Sequence, residues 1–236
     1  MNNSSYKSER KVNLDDGCNP ELLEGAKFVG KLEFPLIERP RYIHIPKQIV
    51  PFSKREYDSD FNITIGFHEN DVEFADVILH PFHYINDFCR FDAILSPDCS
   101  LYRDNSLTGQ CTNAYRSRVI GSFYQRKGIY VIPQIRWGDE RTYTTMVYPE
   151  KIAFLGVEKK GIVAIGSYGM VKERINRYYF SAGLEAMLSE LEPQVVIVYG
   201  PDTDSIFEQY SSLTKFVFYP DWTTQKHGRE NNGKRN

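Results

Sequence analysis

The chain has 236 residues, of which 41% are hydrophobic, 14% aromatic and 25% charged, a composition typical of globular proteins and unlike that of disordered ones. Its 29 basic and 31 acidic residues leave a formal charge of -2, which excludes a global positive field that would attract nucleic acid or anionic membranes. The sequence contains neither a signal core nor an apolar run of roughly 18 residues, so we expect a cytoplasmic protein without a membrane partner.

Composition divides the chain into three parts. Residues 1–24 are polar and predict a flexible segment, and residues 223–236 predict a flexible polar tail. We expect residues 25–222 to form a single α/β domain. Within it, four prolines predict that residues 25–60 form an extended arm packed on the core at residues 61–222, with any strands confined to edges and short pieces.

From residue 61 onward, strand and helix patterns alternate along the chain. Apolar or β-rich runs predict strands at residues 62–68, 91–97, 129–135, 161–169, 194–200 and 215–220. Helical periodicity predicts helices at residues 72–90, with a break at Pro81, and at 106–128, 175–193 and 204–214. Apolar strands that alternate with helices favour a mainly parallel sheet of five or six strands with helices on both faces. The pattern leaves open an open sandwich or a partial barrel.

In both arrangements, ligands bind beyond the carboxyl ends of the strands. The segments that follow the predicted strands are HEND (68–71), SPDCSLYRD (96–104), RWGDER (136–141), GSYG (166–169) and YGPDTD (199–204). Four of these five segments contain acidic residues and two contain arginine, so we expect them to converge on one rim. The alternative is that Asp, Gly and Ser occur there because they form turns.

Carboxylates and arginines on this rim predict phosphoryl chemistry. The predicted catalytic residues are Asp98, Asp104, Asp139 and Glu140, and we expect Asp98 and Asp139 to bind Mg²⁺ or Mn²⁺, which prefer hard oxygen ligands. Such a metal would polarise a phosphoryl group and lower the pKa of a bound water. The predicted substrate-binding residues are Arg103, Arg116, Arg136, Trp137, Ser167, Tyr168 and Gly200. The arginines are included because a guanidinium binds phosphate at two points.

Two sets of charged residues also have structural interpretations, and His68 has a functional one. Arg116 could form a salt bridge with a loop carboxylate such as Asp98 or Asp104. Arg136, Asp139 and Arg141 could form a salt-bridge network that fixes the segment at residues 138–160 to the sheet. His68, at the end of the first core strand, could be a ligand or a base.

Five motifs occur in an order and spacing that resemble one protein family. They are SPDCSLYRD, NAYRSRVIG, VIPQIRWGDERTY, GSYG with the following Lys172, and VVIVYG, and they resemble the family known as domain of unknown function 4417. The resemblance runs from about residue 60 to about residue 220 and implies a phage, prophage or mobile-element context. Cys99 stands where the family tends to have a bulky apolar residue. Tyr168 stands where it tends to have His, which weakens any mechanism that needs an imidazole base in that turn.

The sequence therefore predicts a metal-assisted enzyme that acts on phosphoryl or phosphodiester groups of a nucleotide or nucleic acid. The alternative is a non-catalytic factor that binds a host or phage protein, or nucleic acid, through the same rim. Its stacking or anchor residues would be Tyr102, Tyr115, Trp137, Tyr143 and Tyr168. The overall acidity argues against tight sequence-independent DNA binding, which needs several Lys and Arg contacts to phosphates.

Overall fold

The structure is a computed structural model that describes residues 20–57, 61–168, 173–201 and 206–225. Most of the predicted flexible segments at residues 1–24 and 223–236 lies outside the described residues. The strands are β1 (Phe28–Val29), β2 (Phe34–Pro35), β3 (Ile49–Pro51), β4 (Thr64–Gly66), β5 (Ala93–Leu95), β6 (Val131–Ile132), β7 (Ile162–Gly166), β8 (Val195–Tyr199) and β9 (Lys215–Tyr219). The α-helices are α1 (Ala75–Leu79), α2 (Ile85–Phe88), α3 (Leu107–Arg126), α4 (Glu140–Tyr143) and α5 (Arg174–Leu191).

The described strands form a mixed α/β structure with three sheets. β1 and β2 pair antiparallel, β3 to β6 form a parallel sheet of four strands, and β7 to β9 form a parallel sheet of three. The expectation of one sheet with five or six strands is therefore wrong. The two parallel sheets are linked by a single parallel bridge between Gln134 and Ala164, so seven parallel strands follow one another in chain order.

Pro133 explains why the predicted strand at residues 129–135 serves both sheets. Its first part, β6, pairs with β5 up to Ile132, where the proline removes a backbone N–H from the ladder. The chain beyond Pro133 pairs with β7 instead. There the backbone N–H of Ile135 donates to the carbonyl of Ala164 at 2.7 Å, and the N–H of Ala164 donates to the carbonyl of Pro133 at 2.8 Å.

The proline-containing arm supplies the edge of the four-stranded sheet. β3, within residues 25–60, pairs in parallel with β4, and Pro51 stands opposite Gly66. A proline is tolerated there because an edge strand leaves one side of its backbone without a partner. A parallel bridge between Ile37 and Val157 ties another part of the arm to the body of the protein.

The core consists of apolar residues that alternate between the two sides of each strand. On one side of the three-stranded sheet, Val163, Ile165, Val196 and Val198 join a cluster with five apolar side chains of α5, namely Phe180, Leu184, Met187, Leu188 and Leu191. The residues on the other side belong to the main core, which contains side chains of β3 to β6 and of α3; they are Ile162, Ala164, Val195 and Ile197.

Ring stacking shows that the strands curve. His68, which follows β4, stacks on Tyr199 at the end of β8 with the ring centroids 4.4 Å apart. Four strand spacings separate β4 from β8 in the chain-order series, and in a flat sheet they would amount to roughly 19 Å. The strands therefore curve and bring their carboxyl ends around one opening, which favours the partial barrel of the two alternatives. Among the described helices, none is long and apolar enough to cross a membrane.

Candidate functional site

A cavity of about 420 Å³ opens at the carboxyl ends of the parallel strands. This volume lies within the range of small-molecule binding sites, roughly 300 to 1,000 Å³. Each of the seven parallel strands, or the segment that follows it, contributes to the wall: Pro51, His68, Asp98, Gln134, Gly166, Tyr199 and Asp221. Four of the side chains predicted for the site line this cavity, namely Asp98, Arg136, Trp137 and Tyr168.

Asp98 and Arg136 form an ion pair in the cavity wall. Asp98 is only 5% exposed, and its Oδ2 accepts a hydrogen bond from Nη1 of Arg136 at 2.8 Å. The negative charge of Asp98 is the main reason why the pKa of Arg136 is raised. Nε of Arg136 is shielded from solvent and has no hydrogen-bond partner among the described residues. The carboxylate therefore fixes a guanidinium that still has an unused donor.

Hydroxyl groups hold the segments after β5 and β6 side by side. Oγ of Ser96 accepts a hydrogen bond from the backbone N–H of Gln134 at 2.9 Å and lies 3.1 Å from Oγ of Ser117 on α3. These contacts explain why Asp98 and Arg136, which are 38 positions apart in sequence, meet in the wall.

A second carboxylate fixes the loop after β5. Asp71 accepts hydrogen bonds from the backbone N–H of Ser100 at 3.1 Å and from its Oγ at 2.7 Å. The same hydroxyl lies 3.2 Å from Oη of Tyr102, and the carbonyl of Ser100 accepts from Nδ2 of Asn113 at 2.7 Å. Tyr102 is 56% exposed and contributes to the cavity lining, so this loop places an aromatic ring at the mouth.

His68 presents a neutral imidazole to the cavity. Both of its ring nitrogens are shielded from solvent, and neither reaches hydrogen-bond geometry with another described residue. Burial lowers the pKa of His68 to about 4; the nearby carboxylate of Asp98 opposes this effect and the guanidinium of Arg136 adds to it. A Cβ at Gly166 would lie 3.1 Å from Cδ2 of His68, so the glycine makes room for the ring.

Trp137 joins the cavity to the core beneath α5. Its Nε1 donates to the carbonyl of Tyr179 at 3.1 Å, and its ring lies 5.5 Å from that of Phe180. A Cβ at Gly183 would lie 2.2 Å from Nε1 of Trp137, so only glycine at this helical position accommodates the indole. The indole is 2% exposed and acts as a rigid wall.

Asp139 lies outside the cavity lining and is bound to a different arginine. It is the N-cap of α4, where its Oδ1 accepts from the backbone N–H of Arg141 at 3.0 Å. The guanidinium of Arg141 donates to Oδ1 at 2.9 Å and to Oδ2 at 2.7 Å. Of the proposed structural network, the Asp139–Arg141 pair is present, whereas Arg136 pairs with Asp98.

The predicted metal pair is not brought together as a shared ligand set. Asp98 and Asp139 each bind a different arginine, and only Asp98 lines the cavity. Within the described ranges, no group of three or more His, Cys, Asp or Glu side chains could hold a metal ion. The described residues therefore do not fit a metal bridged by this pair.

The remaining predicted residues are not part of the cavity lining. Arg103 donates to Oδ1 of Asn176 at 3.2 Å, and its guanidinium lies 5.1 Å from the ring centroid of Tyr179. Arg116 donates to Oδ1 of Asn113 at 3.3 Å. The other residues in this group are Asp104, which is exposed, Glu140 in the first turn of α4, Ser167, which donates to the carbonyl of Pro201 at 3.0 Å, and Gly200 after β8.

Sequence reasoning missed several residues of the wall. Gln134, Tyr199, Asp221, Trp222 and Lys54 all line the cavity. The sequence does contain one indication for Gln134, which is the single polar residue in the otherwise apolar run VIPQI at residues 131–135. A polar side chain inside a predicted buried strand requires a reason.

Comparisons with known proteins match the chain to one family and to two phage proteins. A family model described as Domain of unknown function (DUF4417) matches residues 26–219. The Gene 1 protein of Mycobacterium phage D29 is 30% identical over 146 residues, which cover 62% of this chain and 52% of the relative. The Gene 1 protein of Mycobacterium phage L5 is 28% identical over 146 residues, covering 62% and 61% respectively. The chain thus spans less than two thirds of either relative, and no solved structure matches it significantly.

Proposed function

Because the chain belongs to the family described as Domain of unknown function (DUF4417), whose description names no activity, we propose a function from the cavity itself. The family indicated by the five sequence motifs is confirmed, and the curated relatives are phage proteins. The proposed function is the binding of a nucleotide, either free or as a unit of nucleic acid, at the carboxyl ends of the strands.

The observation that carries this proposal is the guanidinium of Arg136 in the cavity wall. Its side chain is 28% exposed, one nitrogen is held by Asp98, and Nε has no partner among the described residues. A guanidinium with unused N–H groups binds phosphate oxygens at two points. The buried carboxylate of Asp98 keeps the guanidinium oriented before a ligand arrives, which lowers the entropic cost of binding.

Other acidic side chains of the wall are engaged by their own neighbours. Glu69 accepts a hydrogen bond from the backbone N–H of Ser53 at 3.0 Å and another from its hydroxyl. Asp221 accepts from the backbone N–H and the hydroxyl of Thr224 at 3.0 and 2.9 Å. Lys54 adds a second positive charge to the lining. The hydrogen bonds fix both carboxylates in place without removing their charge, so Arg136 and Lys54 are the groups of the lining to which an anionic ligand would bind.

In addition to binding, we propose that the protein catalyses a reaction at a phosphoryl or phosphodiester group. In it, Arg136 would stabilise negative charge on the reacting group, while Asp98 would orient the guanidinium. Mg²⁺ or Mn²⁺ bound by Asp98 and Asp139 does not fit the described geometry, so no step of the proposal passes through that pair. Binding is the part of the function that the geometry supports best.

A binding factor without turnover is the second candidate, favoured by the aromatic rings at the mouth. Tyr102 and Tyr168 line the cavity and are 56% and 65% exposed. Exposed rings beside a cationic group offer stacking surfaces for bases of single-stranded nucleic acid or anchors for a protein partner. This candidate uses the same cavity and differs in the size of the ligand.

Thermal shift and calorimetry with nucleotides and short single-stranded oligonucleotides test the proposal. We expect a nucleotide to stabilise the protein, and we expect the substitution Arg136→Lys to weaken binding about tenfold or more because it removes two-point contact. Arg103→Lys is the matched control, since Arg103 lies outside the cavity lining. Absence of nucleotide binding, or equal losses in both variants, would contradict the proposal. Product formation with Mg²⁺ or Mn²⁺ present separates the enzyme from the binding factor.

A further inference from the structure

Gln134 has a buried side-chain amide whose hydrogen-bonding groups are only partly paired within the fold. It is 2% exposed and lines the cavity. Its Nε2 reaches Oδ1 of Asp98 only at 3.4 Å, and its Oε1 has no hydrogen-bond partner among the described residues. A buried carbonyl oxygen without a donor loses its hydrogen bonds to water and gains none in the fold, which is unfavourable.

The backbone of Gln134, in contrast, is fixed by three contacts. Its N–H donates to Oγ of Ser96 at 2.9 Å, and its carbonyl accepts from Nη1 of Arg118 at 3.0 Å. The residue also stands opposite Ala164 in the parallel bridge that joins the two sheets, whose hydrogen bonds come from the flanking Pro133 carbonyl and Ile135 N–H. The link between the sheets therefore depends on the backbone of residues 133–135, and an apolar side chain of the same length at position 134 would maintain it.

Two other side chains of the cavity wall also have buried polar atoms without hydrogen-bond partners among the described residues. These atoms are the ring nitrogens of His68 and Nε of Arg136. A hydrogen-bonding interaction with the side chain of Gln134 raises the pKa of His68, but the two side chains are not aligned as a regular hydrogen bond in this structure. One part of the cavity wall thus contains an unused acceptor, an unused donor and an imidazole.

We propose that Gln134 recognises the edge of a planar nitrogen heterocycle of the nucleobase class, an inference that rests on the proposed nucleotide function. Oε1 of Gln134 requires a donor, whereas a phosphate dianion supplies only acceptors. A planar amide presents one acceptor and one donor in the same plane, which matches the paired donor and acceptor on a base edge. Nε of Arg136 then meets an acceptor of the same ligand. A ligand without the matching edge leaves the amide unpaired and binds more weakly.

The substitution Gln134→Met tests the inference because it separates ligand recognition from stability. Methionine has a similar length and no amide, so we expect the free energy of unfolding to stay equal or rise. Binding of the preferred ribonucleoside monophosphate should weaken about tenfold or more, toward the affinity for ribose 5-phosphate. Gln134→Glu retains an oxygen, removes the NH₂ donor and adds a negative charge close to Asp98. The charge weakens binding of all four ribonucleoside monophosphates alike, so the readout is a change in the order of preference among them.

Gln125 provides the matched control. Its Oε1 accepts from the backbone N–H of Glu38 at 2.8 Å, and its Nε2 donates to the carbonyl of Glu38 at 2.8 Å. Gln125→Met should therefore destabilise the fold and leave nucleotide affinity unchanged. Oligonucleotides measured beside the free nucleotides show which source of the base the cavity accepts.

Two results overturn the inference while leaving the proposed function intact. In the first, wild-type protein binds ribose 5-phosphate or inorganic phosphate as tightly as any nucleotide. In the second, Gln134→Met binds all nucleotides like the wild type, and Gln134→Glu keeps the wild-type order of preference. Failure of the wild-type protein to bind any nucleotide overturns both the proposed function and this inference.

Discussion

The imidazole of His68 lies parallel to the phenol ring of Tyr199, with the ring centroids 4.4 Å apart and 8° between the planes. His68 follows β4 of the four-stranded sheet, and Tyr199 ends β8 of the three-stranded sheet. The bridge between Gln134 and Ala164 joins the same sheets at another point. The cavity is therefore bounded on one side by backbone pairing and on another by stacked rings, which makes His68 both a wall residue and a link between the sheets.

The burial of His68 predicts a pH-dependent stability. The pKa of His68 is lowered to about 4 by burial, whereas in the unfolded chain it returns to about 6.5. Between these values the unfolded state binds a proton that the folded state does not, so stability is complete above about pH 6.5 and falls as the pH decreases toward 4. We expect this group to lower the free energy of unfolding by up to about 3 kcal/mol across that window. Urea denaturation at several pH values measures the loss.

The substitution His68→Phe isolates the effect. Phenylalanine retains a ring for stacking on Tyr199 and cannot be protonated, so the loss of stability between pH 6.5 and 4 should become smaller. His83→Phe is the matched control, because His83 is exposed and lies outside the cavity lining. A wild-type pH dependence in His68→Phe would contradict the assignment.

The strands of the fold were largely predictable because buried parallel strands are continuous apolar runs. The predicted runs at 161–169 and 194–200 contain β7 and β8, whose five residues each are buried or nearly so. β3 was not predicted as part of the main sheet, because its three residues lie in a proline-containing segment and gain their strand geometry from pairing with β4. Tertiary pairing overrides local preference in such short strands.

The candidate site was predictable only where charge follows a strand directly. Asp98 and Arg136 stand shortly after β5 and β6, and both line the cavity. Asp139 also stands shortly after β6, but it does not line the cavity, because it caps α4 and binds Arg141. The sequence cannot distinguish a capping carboxylate from a ligand-facing one. Gln134 carries no charge and was missed despite its unusual place in an apolar run.

Asp98 and Asp139 should therefore differ in function. We expect Asp98→Asn to weaken nucleotide binding about tenfold, because Arg136 loses its charged partner and its fixed orientation. We expect Asp139→Asn to leave binding unchanged and to lower the free energy of unfolding by about 1 kcal/mol, because it removes the ion pair with Arg141. Calorimetry and urea denaturation measure the two effects. Equal loss of a Mn²⁺-dependent stabilisation in both variants would instead support the metal pair expected from the sequence.

The buried hydrogen bonds of Arg118 predict a large loss of stability when this residue is substituted. This arginine on α3 is 2% exposed and donates to the carbonyls of Leu155, Gln134 and Ala153 at 3.0, 3.0 and 2.8 Å. Burial lowers its pKa to about 10, so it is still charged at neutral pH. We expect Arg118→Met to lower the free energy of unfolding by about 3 kcal/mol, because two buried carbonyls and one partly buried carbonyl lose their donor.

Arg116→Met on the same helix is the control for Arg118. Arg116 makes a hydrogen bond of 3.3 Å to Oδ1 of Asn113 and is partly exposed, so its loss should cost less than about 1 kcal/mol. Urea denaturation of both variants gives the comparison. A similar small loss at Arg118 would show that the carbonyls find other donors.

The backbone conformation of Gly200 and the atoms around it predict that a side chain is not tolerated at this position, where the chain after β8 lies close to the chain after β7. It has a φ of +126°, and a Cβ there would lie 2.6 Å from Oγ of Ser167 and 2.9 Å from the backbone nitrogen of Tyr168. We expect Gly200→Ala to lower the free energy of unfolding by more than about 2 kcal/mol, since backbone strain and a steric clash add. Nucleotide binding should weaken as well, because Tyr168 lines the mouth of the cavity.

Gly128 separates the two contributions to this effect. It also has a positive φ, +85°, but a Cβ at this position would have no neighbouring atom within 4 Å, so Gly128→Ala should cost only about 1 kcal/mol of backbone strain. Ser167→Ala removes the nearest contact, at the cost of the hydrogen bond to the carbonyl of Pro201, so Gly200→Ala should cost less in a Ser167→Ala background than in the wild type, with the contact to the Tyr168 backbone remaining. Equal losses at the two glycines in urea denaturation would show that φ alone sets the cost and that the strand ends can separate to admit a methyl group.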